Sequence, residues 1–124
     1  MKRYRMEDYL QLENPAPGNP YRPEILTHEH QAKELGGMFG LLSPGNQVPY
    51  HYHRNRESLL LVIAGEAIEV IEGKEIPIRE GDVIFIPAGE KHMTVNRSKK
   101  DFRYLEFFTR PPLSADFVEA GTAL

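Results

Sequence analysis

Glycine and proline punctuate this chain from end to end, ten of each in 124 residues, and the longest unbroken apolar run, Leu59–Ala64, is six residues. Runs that short cannot supply the several turns of an ordinary helix. Between the breaks the sequence is rich in Val, Ile, Leu, Phe and Tyr, the residues that fit a pleated and half-buried surface. Many short strands joined by Gly/Pro turns are the pattern of an all-β sandwich or barrel.

The expected strands are 24–28, 38–43, 47–53, 59–64, 67–72, 75–78, 82–86, 91–96 and 102–109. Gly73-Lys74, Pro44-Gly45 and the stretch "NRSKKD" at 96–101 read as turns between them. The segment "ENPAPGNPYRP" at 13–23 holds too many prolines for a helix or a central strand and reads as an extended arm. The organisation expected is an N-terminal arm (1–23), one β-barrel (24–110) and a C-terminal tail (111–124) with a short helical turn capped by Ser114. Length alone favours a single domain.

Two strands carry more apolar surface than one buried face requires. "LLLVIA" and "VIFI" are apolar on both faces, whereas a half-buried strand alternates. Something must cover the outside, and a homodimer is the expected solution, with the N-terminal arm as the alternative cover.

Composition narrows the partners. Lys and Arg number 15 against 18 Asp and Glu, a net charge of −3, which argues against a nucleic-acid binder. The chain has no cysteine, so disulfides, thiolate metal sites and cysteine nucleophiles are excluded. "MKRYRMEDYLQLENP" has no apolar segment after its basic residues, and no run is long enough to span a bilayer. A cytoplasmic protein with a small-molecule ligand and no membrane partner is the expectation.

The chemistry concentrates in "PGNQVPYHYHRNRES" and "EGDVIFIPAGEKHMTVN". His51 and His53 are two apart on an expected strand, so both imidazoles face the same side and can address one ion. In the second segment the Pro87-Ala88-Gly89 turn leads into a strand that begins at His92, which places a third imidazole beside the first two if the hairpins are neighbours.

These segments resemble the two motifs of the cupin superfamily, in its small single-domain form. Gly45, five residues, His51-Tyr52-His53, three residues, Glu57, seven residues and Gly65 follow the first motif with one residue too many at the end. Gly81, five residues, Pro87-Ala88-Gly89, two residues, His92, three residues and Asn96 follow the second without departure. The resemblance implies a double-stranded β-helix, or jelly roll, holding one divalent metal ion (Fe, Mn, Ni, Zn or Co) on His51, His53, Glu57 and His92. It further implies a metal-dependent enzyme, dioxygenase-like or an isomerase, acting on a small polar molecule. A non-catalytic binding module or sensor is the alternative, and a storage role the third.

The extra residue makes Glu57 ambiguous. Counted back from Gly65, the carboxylate position falls on Ser58. A one-residue shift sends a side chain to the opposite face of a strand, and a β-bulge is the usual way to absorb it. The expectation is a bulge around Arg56–Ser58 that turns Glu57 inward, against a site of three histidines with Ser58 facing them.

Several other residues carry weaker expectations. His28 and His30 read as solvated or interfacial. Arg54 and Arg56 flank the ligand loop, where they would be solvated or would hold an anionic substrate. One face of the last strand (Phe102, Tyr104, Glu106, Phe108) or the other (Arg103, Leu105, Phe107, Thr109) lines the interior, and the first would add Tyr104 and Glu106 to the pocket. Met38, Phe85, Met93 and Val95 read as packing residues, and Asn96 as the support of the 97–101 turn.

Overall fold

In the computed structural model, which describes residues 1–122, ten strands form two five-stranded antiparallel sheets. In chain order they are β1 (Glu24–Leu26), β2 (Leu35–Leu42), β3 (His51–Tyr52), β4 (Ser58–Ala64), β5 (Glu66–Ile71), β6 (Lys74–Arg79), β7 (Val83–Ile86), β8 (His92–Val95), β9 (Phe102–Thr109) and β10 (Val118–Glu119). One sheet runs β1-β2-β9-β4-β7 and the other β10-β3-β8-β5-β6. This is the jelly-roll architecture expected. The hairpin between β5 and β6 turns one residue earlier than expected. Glu72 and Gly73 both adopt positive φ, 48° and 80°, the conformation a tight two-residue hairpin turn demands.

The two sheets enclose a core of Met38, Leu42, Val48, Leu60, Val62, Ala67, Ile78, Phe102, Tyr104 and Phe108. On β9 the inward face is therefore the Phe102, Tyr104, Glu106, Phe108 set. Glycines on β2 make the room for it. Gly36 sits opposite Phe108 and Gly40 opposite Tyr104, and a Cβ on either would overlap the facing ring.

The outer face of the first sheet is covered by the chain itself. Phe39, Leu41, Ile63 and Leu105 pack under Tyr9, Leu12, Tyr21 and Ile25. Tyr9 stacks on Phe39, and the Arg103 guanidinium donates to the carbonyls of Tyr9 and Leu12. Tyr9 belongs to a short helix, α1 (Met6–Leu10), that the sequence reading did not foresee. The arm stops short of β7, whose Val83 and Phe85 stay 62% and 55% exposed beside Leu59 at 41%. Phe85 is thus an outer-surface residue rather than a packing residue, because Ile84 and Ile86 take the inward positions. Met93 and Val95 pack with Val70 on the outer face of the second sheet. Among the described residues, no helix is long and apolar enough to cross a membrane.

Candidate metal centre

Three of the four expected ligands meet. His51 on β3 pairs directly with His92 on β8, with ring centroids 4.2 Å apart. His53 lies just beyond β3, and its carbonyl accepts the Gly89 N–H at 2.6 Å. Gly89 holds φ 85°, so the Pro87–Gly89 turn can swing over the end of β3 and deliver His92 to the pair. One ring nitrogen from each histidine lies within 4.8 Å of the others.

Backbone carbonyls fix the tautomer of all three rings. His51 Nδ1 donates to Pro49 O at 2.6 Å, His53 Nδ1 to Asp116 O at 2.7 Å and His92 Nδ1 to Glu90 O at 2.8 Å. With Nδ1 carrying the proton, each Nε2 keeps its lone pair. Burial keeps the rings neutral. It pushes His51 down to about 3, with His92 adding repulsion, pushes His92 down to about 4, and lowers His53 as well.

Glu57 is not part of this cluster. It is exposed, and its backbone pairs with Thr109 on the outward side of β9. Ser58, 2% exposed, takes the inward position instead. The physical reason is the register of β4. Pairing is regular from Ser58 to Val62, and the irregularity falls between Val62 and Ala64, opposite Tyr104 and Arg103. With this register running regularly through Ser58, and Glu57 pairing with Thr109, no bulge exists at 56–58 to turn Glu57 inward, and Ser58 takes the position counted back from Gly65.

The histidines line a cavity of about 470 Å³. Its far wall is the first sheet, where a cross-strand row runs Glu24, Met38, Glu106, Leu60. Tyr104 and Glu106 are therefore pocket groups. Burial raises the Glu106 carboxyl above its ordinary range, with Ser58, Arg56 and Arg22 acting in the opposite sense. Burial likewise raises the Tyr104 hydroxyl. Below the cavity Glu69 is 1% exposed. Burial pushes it up to about 8 although Thr94 Oγ1 donates to its carboxylate.

The arginine expectations change. Arg54 is exposed. Arg56 is 1% exposed and neither solvated nor free, because its guanidinium donates to the carbonyls of Leu113, Arg110, Pro112 and Ala115 and lies 4.4 Å from the Phe108 ring. It thereby ties residues 110–115 over the barrel mouth. That segment forms turns rather than the helical turn expected at Ser114, and it leads into β10, which pairs with β3.

The tail contributes directly to the site, which the sequence reading missed. The Asp116 carboxylate accepts the N–H groups of Arg54, Asn55 and Arg56 at 2.8, 2.7 and 3.1 Å, while its carbonyl orients His53. Phe117 stacks on His51 at 4.4 Å. Arg22 and Glu24 from the arm side also line the cavity. The alternation of "YRPE" was the one available signal for these two. His28 and His30 form a surface 3₁₀ turn away from the site, and Asn96, fully buried, braces the 97–101 turn through Ser98 and Lys100.

Comparison with known proteins agrees with this architecture. A cupin-domain family matches residues 38–108, more than half of the chain. The oxalate-binding protein of Thermotoga maritima is 34% identical over 64 residues, 52% of this chain and 53% of that one. The chain thus spans about half the length of that relative. A double-stranded β-helix protein from Klebsiella pneumoniae superposes with a TM-score of 0.80 at 21% identity, covering 98% of this chain and 99% of the other. A sugar phosphate isomerase of the cupin superfamily from Silicibacter pomeroyi superposes with a TM-score of 0.64 at 27% identity, covering 73% and 60%. From the family match and the two-sheet frame around residues 38–108, the chain belongs to the cupin family.

Proposed function

We propose that this chain is a metal-dependent enzyme acting on a small polar molecule, with one divalent ion held by Nε2 of His51, His53 and His92. The observation that carries the reading is the shared tautomer: three neutral rings, each with Nδ1 tied to a carbonyl, turn three lone pairs toward one point. An all-imidazole set suits Zn, Fe, Ni, Co or Cu, and the missing carboxylate makes it less suited to Mn. When bound, the ion would act as a Lewis acid toward an oxygen of the substrate. The protein's own part is to keep the rings unprotonated, to wall the cavity with apolar Met38 and Leu60, and to present Glu106 and Tyr104 as proton-carrying groups. The sugar phosphate isomerase among the similar structures supports an isomerase reading. The oxalate-binding relative supports the non-catalytic alternative, in which the same centre only captures its ligand.

Elemental analysis of protein purified without added metal or chelator tests the centre. About one equivalent of metal per chain is expected, falling below about a tenth in His92→Ala with an unchanged circular dichroism spectrum. Metal-free wild type that takes up no added Zn, Fe, Ni or Co would remove the assignment. Iron with substrate-dependent oxygen uptake would favour the dioxygenase-like form, and its absence the isomerase form.

The homodimer is part of the same proposal. Leu59, Val83 and Phe85 leave an apolar patch beside the edge strand β7 that the arm does not reach. Sedimentation equilibrium should give twice the chain mass, and a charged substitution at Phe85 should return the monomer.

A further inference from the structure

One cation lining the cavity has no hydrogen-bond or ion-pair partner among the described residues. Arg22 lies between two backbone pairings: Tyr21 exchanges hydrogen bonds with Leu41 at 3.1 and 2.9 Å, and Pro23 O accepts the Phe39 N–H at 3.0 Å. Alternation along this extended stretch sends Tyr21 and Ile25 to the outer cluster and turns Arg22 and Glu24 into the cavity. Among the described residues, the Arg22 guanidinium makes no hydrogen bond and no ion pair, although the carboxyls of Glu24 and Glu106 line the same space. The contrast with Arg56 and Arg103 is instructive, since both spend their donors on backbone carbonyls.

The surrounding charge does not cancel this cation. Arg56 adds a second positive group, and Glu24 is exposed at the rim. Burial raises the Glu106 carboxyl above its ordinary range, against the lowering pull of Arg56 and Arg22. A guanidinium with unfilled donors on a pinned stretch of backbone binds planar or tetrahedral oxyanions in a forked, charge-assisted manner. The space of about 470 Å³ suits a small molecule.

We propose that the cavity takes a small molecule carrying an oxyanion, a carboxylate or a phosphate, and that Arg22 is the residue that clamps it and sets specificity for charged over neutral ligands. The inference rests on the reading of this cavity as a ligand site and narrows its substrate from polar to anionic.

Isothermal titration of the full-length protein with malonate, inorganic phosphate and neutral malonamide tests it, on metal-loaded and on chelator-treated protein. Wild type should bind malonate or phosphate saturably at one per chain, and malonamide at least about tenfold more weakly. A preference for malonate identifies a carboxylate ligand and one for phosphate a phosphoryl ligand. Arg22→Gln should lose at least about tenfold of the anion affinity and leave metal content and malonamide affinity unchanged, with Arg22→Lys intermediate. The Arg22 guanidinium makes no bond among the described residues, so both variants should melt close to wild type, and Arg22→Lys alone decides the matter if Arg22→Gln does not fold. Anion binding that is unaffected by either variant, equal binding of malonamide, or no saturation by about 50 mM anion would overturn the proposal. Arg22-dependent binding that persists in protein unable to hold metal would sink the metal centre alone. A stoichiometric metal with Arg22-independent binding would sink the clamp alone.

Discussion

Replacing Arg56 by methionine should cost about 3 kcal/mol of stability and should loosen the histidines as well. Methionine keeps the apolar volume against Phe108, so little of the effect comes from a cavity. What is lost is the guanidinium's hold on four carbonyl oxygens. A buried acceptor left bare costs about 1–3 kcal/mol. Arg110 and Pro112 are exposed, so water can replace the arginine at their carbonyls, whereas Leu113 and Ala115 are half-buried and their carbonyls are not so easily hydrated. Two orphaned acceptors at about 1 kcal/mol each give about 2 kcal/mol, and loss of the contact with the Phe108 ring adds about 0.5–1 kcal/mol, for a total of about 3 kcal/mol. For a domain of this size that is a large share of a total of about 5–15 kcal/mol. It corresponds to a fall in melting temperature of roughly 12 °C, at about 4 °C per kcal/mol. Urea denaturation and thermal melting of metal-free Arg56→Met measure this part directly. The second part follows from position. The segment Arg56 holds down continues into Asp116, which orients His53, and Phe117, which stacks on His51. Zinc affinity should therefore fall about tenfold or more, as when an outer partner of a ligand is lost. A variant that melts within about 2 °C of wild type would refute the structural reasoning. A variant that melts lower yet binds zinc as tightly would refute the link between the tail and the histidines.

Two further outcomes are expected from the core. Glu69, with its carboxyl raised to about 8 from an ordinary 4.5, keeps its proton in the folded chain after the unfolded chain has released it. The folded state then binds more protons, so this group's contribution is full below pH 4.5, declines as pH rises and is lost through pH 8. Denaturant melts at pH 5 and pH 8 should show Glu69→Gln gaining on wild type toward pH 8, by at most on the order of 4 kcal/mol. The same slope in wild type and variant would refute the assignment. Gly40→Ala should destabilise by about 1–3 kcal/mol through overlap with the Tyr104 ring, read by urea denaturation. A neutral Gly40→Ala would mean that the ring can move aside.

The parts of the fold that repeat along the chain were legible in the sequence. Strand alternation and Gly/Pro turns place nine of the ten strands, and His51, His53 and His92 follow from local spacing and one glycine-hinged turn. What escaped is set by tertiary geometry. Nothing local distinguishes Arg56, spent on carbonyls, from Arg22, without a partner among the described residues, because a guanidinium's partners come from distant turns. Asp116 acts through its main chain as much as its side chain, and Phe117 through stacking, so neither leaves a periodic mark. Glu57 escaped for a different reason: the spacing points to Glu57 when counted from His53 and to Ser58 when counted from Gly65, and only the strand register decides which faces inward.

The irregularity at Ile63 makes β4 two segments with independent phase. Upstream, Ser58, Leu60 and Val62 keep step with β9 and so with the cavity wall; downstream, the chain is free to meet the Gly65 turn at its own spacing. Insertions and deletions at this point are therefore silent toward the interior. A lineage of such proteins could drift in length between its histidine pair and this turn while the groups facing the ligand stayed where they are.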